Sequence, residues 1–403
     1  MHSLARECGL TDAIDRHLQL LKFHFPYHES DHVLNIAYNS LTDGKCLEDL
    51  ELKRGDEAYL DALGTTRIAD PTTAGDFCRR FPGPQDIHAL QRAIDEARRT
   101  VWARQPDVFF DSATVDMDGH MVETTGECKD GMDISFKGEW GYHPLLVSLA
   151  ETSEPLRIVN RSGNRPSHEG AAAECDDVIT LLRDAGFRRI LLRGDTDFSQ
   201  TEHLDRWSRD GIVFQFAYDA APNLKNRASA IPESEWSPLE RPPKYMIKTE
   251  PRARPDRVKE QIVVEREFEN IRLVSEHVTE FEYRPTACRE SYRMIVVRKN
   301  LSVEKGEKVL FDDVCYFFYI TNDRSSSVSE VVFSCNDRCN QENLIEPLAN
   351  GVSTTSVTQR LAVPVPPQCG QAIESFPPHV GQATLRVAGI RMGSASCCSI
   401  VIT

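Results

Sequence analysis

No run of apolar residues in this 403-residue chain approaches the roughly 18 needed to cross a bilayer as a helix. The first twenty residues lack a basic segment followed by an apolar one, so no secretory signal is expected. The twelve cysteines are scattered and contain no C-x-x-C pair, which points to a reducing compartment rather than a disulfide framework. Walker, G-x-G-x-x-G and G-x-S-x-G patterns are all missing. The twelve histidines are read as forming no H-x-x-x-H or H-E-x-x-H metal motif. Positive charge is also in deficit: 47 Lys and Arg against 62 Asp and Glu give a net charge of −15. That balance disfavours a nucleic-acid partner without excluding one, because binding needs only a local basic face. Membrane proteins, disulfide knots and coiled coils are excluded. Apolar residues at 40% are enough for sizeable cores, and the length suggests two or three domains.

Residues 1–107 read as helical, with apolar side chains at three- and four-residue spacing in IDRHLQLLKF, HVLNIAYNSL and QDIHALQRAIDEARRTVWARQ. Asp70-Pro71 marks a helix start. From 108 to 220 the pattern changes. FFDSATVDMDG alternates and forms a hairpin with MVETTG, PLLVSLA and LRIVNR are short strands, and SHEGAAAECDDVITLLRDAGF is a helix capped by Ser167 and closed near Gly186. Strand RRILLRGD, helix SQTEHLDRWSRDG and strand IVFQFAYDA follow, predicting a mixed α/β sheet with helices on its faces. Residues 221–310 break this rhythm and read as a β-rich insertion, with strands at QIVVEREFE, IRLVSEHVTEFEY and YRMIVVRKN. Residues 311–350 return to a buried strand, YFFYITND, and a helix, SVSEVVFSCNDRCNQENLIE. The final stretch, 351–403, carries only Arg360, Glu374, Arg386 and Arg391 as charged residues. It has no sustained period and is expected to be disordered.

Acids at strand ends are the strongest chemical signal. Asp116 and Asp118 are two apart and share a strand face. Asp195 ends an apolar strand, where α/β sheets tend to place their sites, although such aspartates also serve as turn residues and caps. Arg338, Glu342 and Glu346 are spaced to share one helix face. Cys335 and Cys339 have too few companions for a zinc site and read as buried thiols.

Four segments together resemble the DDE transposases of bacterial insertion sequences, in the subgroup with a β-rich insertion before the last acid. VDMDGHMVETTGECKDGMDISFKGEWGYHPLLVSLA is similar to that family's strand ending in D-G-T and its Gly-Tyr-His-Pro-Leu strand. VNRSGNRPSHEGA is the second segment, and RRILLRGDTDF is similar to the R-G-D-S-x-F second acid. NDRCNQENLIE follows Y-x2-R-x3-E-x6-K. The resemblance implies a ribonuclease H-like core and a triad of Asp118, Asp195 and Glu342, with Asp116 the competitor for the first place. It departs at Cys335 for the tyrosine, His120 for the threonine and Ala349 for the lysine. Pro347 interrupts the last helix, which together with the charge-poor tail suggests a frame disruption near 347–351.

What the resemblance implies chemically is a two-ion Mg²⁺ or Mn²⁺ site on the three carboxylates, with Arg338 steadying the scissile phosphate. The expected activity is DNA phosphodiester hydrolysis and strand transfer. The expected partners are duplex DNA at inverted repeats, target DNA and a second copy of the chain, in a bacterial cytoplasm at the nucleoid. Lys244, Lys248, Arg252, Arg254 and Arg257 form the candidate phosphate-contacting stretch, with a solvated loop as the alternative. Residues 1–107 are the expected reader of the end sequence. A DNA-binding remnant without activity, and a nuclease without strand transfer, are the rival functions.

Overall fold

The computed structural model describes residues 1–81, 83–124, 131–241, 258–267, 269–305, 308–341 and 344. The expectations for Glu342 and Glu346, for Lys244, Lys248, Arg252, Arg254 and Arg257, and for 351–403 lie outside the described residues.

The first 102 residues fold into seven helices: α1 (His2–Glu7), α2 (Leu10–His17), α3 (Glu29–Leu41), α4 (Leu50–Arg54), α5 (Glu57–Leu63), α6 (Pro71–Cys78) and α7 (Pro84–Trp102). The predicted start at Asp70 is present, its Oδ1 accepting the Thr73 N–H at 2.9 Å with Pro71 at the first helical position. The apolar stripes of α2, α3 and α7 meet in a core that includes Ile14, Leu18, Val33, Leu34, Phe77 and Leu90. Helix α2 is shorter than its periodicity suggests. Leu18 turns to an extended conformation, and two nearby backbone N–H groups, of Leu20 and Leu21, both donate to buried Glu29.

The remaining elements are β1 (Ser112–Gly119), β2 (Val122–Glu123), β3 (Asp133–Ile134), β4 (Trp140–Tyr142), β5 (Leu145–Leu149), β6 (Glu154–Val159), α8 (Ala171–Ala185), β7 (Arg189–Gly194), α9 (Thr201–Arg209), β8 (Val213–Tyr218), α10 (Pro222–Ser229), β9 (Ser237–Pro238), α11 (Val258–Glu265), β10 (Glu269–Tyr283), β11 (Tyr292–Lys305), β12 (Lys308–Thr321) and α12 (Val328–Asp337). Nine strands make one mixed sheet in the order β6-β5-β1-β7-β8-β12-β11-β10-β9. Strand β1 runs antiparallel to β5 and parallel to β7, which is parallel to β8. This five-strand unit with its crossover helices is the expected ribonuclease H-like core. One face of it buries Val115, Met117 and Leu192 against Cys175, Val178 and Leu182 of α8 and Leu204 and Trp207 of α9. On α12, Val331 and Val332 pack on Val278, Ile295 and Val297.

Further sequence expectations differ from the structure. Segment 122–123 pairs with β4 in a separate three-stranded sheet, not with β1, because β5 already occupies that edge of β1. Ser167 is not the cap of α8. The helix starts after Gly170 at φ 76°, since the Arg161 guanidinium holds the carbonyls of Pro166, Ser167 and Glu169 in a turn. Residues 261–265 of the expected strand QIVVEREFE are helical, inside α11, so their β-branched composition yields to context. Strands β10, β11 and β12 extend the core sheet, and β12 crosses the expected boundary at 310/311.

Helix α7 clamps the edge strand β6. Gln91 donates to the Leu156 carbonyl at 2.8 Å and Arg98 to the Pro155 carbonyl at 2.8 Å, covering an edge otherwise open to pairing. Asp95 bridges the guanidinium groups of Arg98 and Arg157, and all three are buried. Asp95→Ala leaves two buried cations short of a partner and is expected to cost about 3–5 kcal/mol. Urea unfolding monitored by tryptophan fluorescence checks this, and a loss under about 1 kcal/mol would mean water satisfies the arginines.

Candidate active site

The parallel pairing of β1 with β7 puts Asp116 opposite Arg193. Asp118 and Asp195 each stand two residues further along, so the two acids leave adjacent strands at the same level and on the same face. The spacing of 77 residues is common to both pairs.

Asp116 is 3% exposed and both its oxygens are taken. Arg193 donates from Nε at 2.7 Å and from Nη2 at 2.8 Å, and from Nη1 to the Ser334 carbonyl at 2.7 Å. Burial works against the Arg193 charge, but its hydrogen bonds and attraction to Asp116 overcome this and hold it above its ordinary pKa. Asp116 is thus engaged in structure, and Asp118 is the open carboxylate of β1.

Asp118 accepts the Gly119 N–H at 2.9 Å and faces Arg338 Nη1 at 3.2 Å. Burial pushes its carboxyl above the ordinary value, Arg338 opposes the rise and the Asp195 charge adds to it. Asp195 caps a 3-10 turn over Thr196–Phe198, accepting the Asp197 N–H at 3.0 Å. The cap role and the strand-end role coincide in one residue. Its carboxyl is also raised by burial, against Arg338 and the Asp197 amide. Two partly buried acids sharing one arginine are a donor set that suits a hard divalent cation, whose oxygen ligands are carboxylates and water.

The expected helix face of Arg338, Glu342 and Glu346 is corrected at its start. Helix α12 ends at Asp337 and the chain tightens to a 3-10 turn over Arg338–Gln341. The cause is Gln341, which is 4% exposed. Its amide reaches Ser148 Oγ at 2.9 Å and the Asp116 carbonyl at 3.1 Å, drawing the backbone down onto β1 and β5. Cys335 is half-buried, not fully buried as expected, and its partial burial still pushes the thiol up to about 12, which keeps it unreactive.

Sequence reasoning missed three neighbours of the acids. One is Arg193, whose spacing from Asp116 repeats that of the acids and was the available signal. Another is His143, which lies so close to Gly119 that a Cβ there would meet its Cε1 at 2.6 Å. The third is Arg161, which donates to the His143 carbonyl at 3.0 Å while its Nη2 is buried without a hydrogen-bond partner. Burial lowers the Arg161 pKa, with Glu169 opposing. Arg161 lines a cavity of about 430 Å³ with Asn160, Ser162 and Arg165. Gly119, Leu145 and Val159 form one row across three strands, so this cavity begins two strand spacings, roughly 10 Å, from Asp118.

The sequence profile of a family described as Transposase DDE domain group 1 matches residues 1–361. No curated protein matches the chain. Among solved structures, a piggyBac transposase in a synaptic complex with hairpin DNA is similar at 11% identity and a TM-score of 0.40, over 87% of this chain and 68% of that one.

The two β1 acids are expected to separate on substitution. Asp116→Ala strands Arg193 and should lower stability by about 3–5 kcal/mol. Asp118→Asn removes a disfavoured negative charge and should raise the melting temperature of metal-free protein by about 1–2 °C. Differential scanning calorimetry in EDTA decides, and equal destabilisation by the two would contradict the division of roles.

Proposed function

The chain belongs to the transposase DDE domain group 1 family, and we propose that it cleaves and joins DNA strands at the ends of an insertion sequence by metal-dependent phosphodiester chemistry. The observation that carries this reading is the in-register placement of Asp118 and Asp195 beside Arg338. Asp118, Asp195 and Glu342 would hold Mg²⁺ or Mn²⁺, which supplies an activated oxygen nucleophile and stabilises the leaving oxygen. Arg338, which sits beside Asp118, would bind a non-bridging oxygen of the scissile phosphate. Gly119 lets the His143 ring pack against the backbone next to Asp118, in the space a side chain would need. Arg165 and the stretch containing Lys244, Lys248, Arg252, Arg254 and Arg257 bind flanking phosphates, and residues 1–107 read the end sequence. Two copies act together on paired ends.

A second reading, a DNA-binding remnant, rests on Pro347, five residues past Glu342 in a chain that then becomes poor in charge. Cleavage of an end-bearing duplex with Mg²⁺ or Mn²⁺ separates the two, and strand transfer into plasmid DNA separates transposition from simple nuclease action. In an active protein, Asp118→Ala, Asp195→Ala and Glu342→Ala should each lower cleavage by about 10³-fold or more, roughly 4 kcal/mol of transition-state stabilisation. DNA affinity should change by less than about 3-fold, since phosphate attraction is untouched. No cleavage by wild type under any divalent ion, with binding intact, would favour the remnant.

Salt titration tests the phosphate path. Replacing Arg252 and Arg254 together, or Arg165 alone, should flatten the slope of log affinity against log salt by about 0.9 for each phosphate no longer neutralised. An unchanged slope would remove that segment from the path.

A further inference from the structure

The sequence spells H-E-x-x-H over His28-Glu29-Ser30-Asp31-His32, which corrects the assignment of no histidine to a metal motif. In metalloproteases that pattern sets two imidazoles on one helix face, with the glutamate as base. The structure uses it differently. His32 is buried and stacked on Phe77, ring centroids 4.6 Å apart and 12° from parallel. The residues that come together are His24, His28 and Glu29, with one ligand atom of each within 4.8 Å of the others.

We propose that His24, His28 and Glu29 form a zinc-binding site that fastens the loop between α2 and α3. Glu29 is the anchor. Its side chain is 0% exposed, far from the usual position of a glutamate. One oxygen is fixed by the backbone N–H groups of Leu20 at 3.0 Å and Leu21 at 2.9 Å. The other, Oε2, is buried without a hydrogen-bond partner and lies 3.5 Å from His24 Nδ1. A buried carboxylate with one oxygen unsatisfied is costly unless a cation meets it. The second imidazole packs edge to face beside the first, ring centroids 5.2 Å apart and planes at 66°, with a nitrogen of each within 4.8 Å of the other and of a Glu29 oxygen. His28 is the N-cap of α3, and its backbone N–H is held by Asp31 at 2.8 Å.

Two imidazoles and a carboxylate are zinc donors, where Mg²⁺ or Ca²⁺ would require oxygen throughout. Zinc–ligand distances near 2.0–2.2 Å require the three atoms to close in, and His24 and His28 are both exposed. Water completes a tetrahedron on the solvent side. The two backbone amides on Oε1 do what outer-shell partners do in zinc sites, fixing the orientation of the ligand. The loop thereby held carries Phe23 and Phe25, which are 83% and 87% exposed. A metal clip would keep these rings displayed on the helical region instead of letting them collapse onto it.

The site lies in the helical region, and its test does not depend on the proposed DNA chemistry. Untagged protein stripped with EDTA is titrated with Co²⁺ in excess Mg²⁺, which keeps the carboxylate pair at Asp118 and Asp195 supplied. Wild type should develop the visible bands of tetrahedral Co²⁺, lose them to added Zn²⁺, and melt at a higher temperature with Zn²⁺ bound. His24→Gln and His28→Gln, both at exposed positions, should each weaken zinc affinity by at least about 10–100-fold. The Asp118→Asn, Asp195→Asn double variant should keep both the bands and the thermal shift. Bands that survive both histidine substitutions, or the absence of a zinc-dependent shift in wild type, would overturn the site and leave His24 as a simple ion-pair partner of Glu29.

Discussion

The buried fork between Arg193 and Asp116 is the constraint on which the rest of the centre depends. A guanidinium and a carboxylate of matching shape meet across the parallel junction of β1 and β7, and neither tolerates loss of the other inside the protein. Because Arg193 also reaches the last turn of α12 through the Ser334 carbonyl, the same cation fixes two strands and the helix above them. Gln341 repeats the tactic three residues past Arg338, binding strand carbonyls that would otherwise lie buried under the turn. Arg338 is therefore delivered to Asp118 by neighbours on both sides, and not by the pair's own attraction.

Charge is unbalanced one step further along. Asp118 and Asp195 are both raised by burial, with one arginine between them. A carboxyl whose folded pKa lies above its unfolded one binds its proton more tightly in the native state. Stability then falls as pH rises from the ordinary carboxyl range, near 3.9, to the raised values, and the penalty persists above them. The metal-free protein carries that penalty at neutral pH, and a divalent cation bound between the two acids would relieve it. Such local cost at a functional site is a familiar exchange of stability for activity.

Much of this is readable from sequence. Alternation in SATVDMDG and the apolar run before Asp195 locate both strands and place both acids at their ends, because a strand fixes side-chain direction with a period of two. Asp70-Pro71 announces a helix start through local chemistry alone. What is not readable depends on interactions remote in the chain. Arg161 holding the 166–169 carbonyls moves the start of α8, Glu29 drawing in the Leu20 and Leu21 amides shortens α2, and Gln341 tightens the turn after α12. None of these leaves a local signature. Residues 261–265 mimic a strand because β-branched side chains report a preference for pleated surfaces that the surroundings override. The histidine-glutamate cluster is plain in its letters, yet its meaning depends on which of its side chains turn inward.

Strand pairing carries a further consequence. The acids are brought together by phase, not by the length of chain between them. Sliding β1 by one residue along β7 would turn Asp118 to the apolar side facing α8 and present Met117 to Arg338 instead, the face reversal that a period of two imposes. Residues inserted in the loop between β5 and β6 or at the tip of the small sheet would cost little by comparison, since loop closure grows only as the logarithm of length. Tolerance to length change should therefore be sharply uneven along this chain, permissive between elements and nearly absent across the few rungs from Ser112↔Arg189 to Asp116↔Arg193.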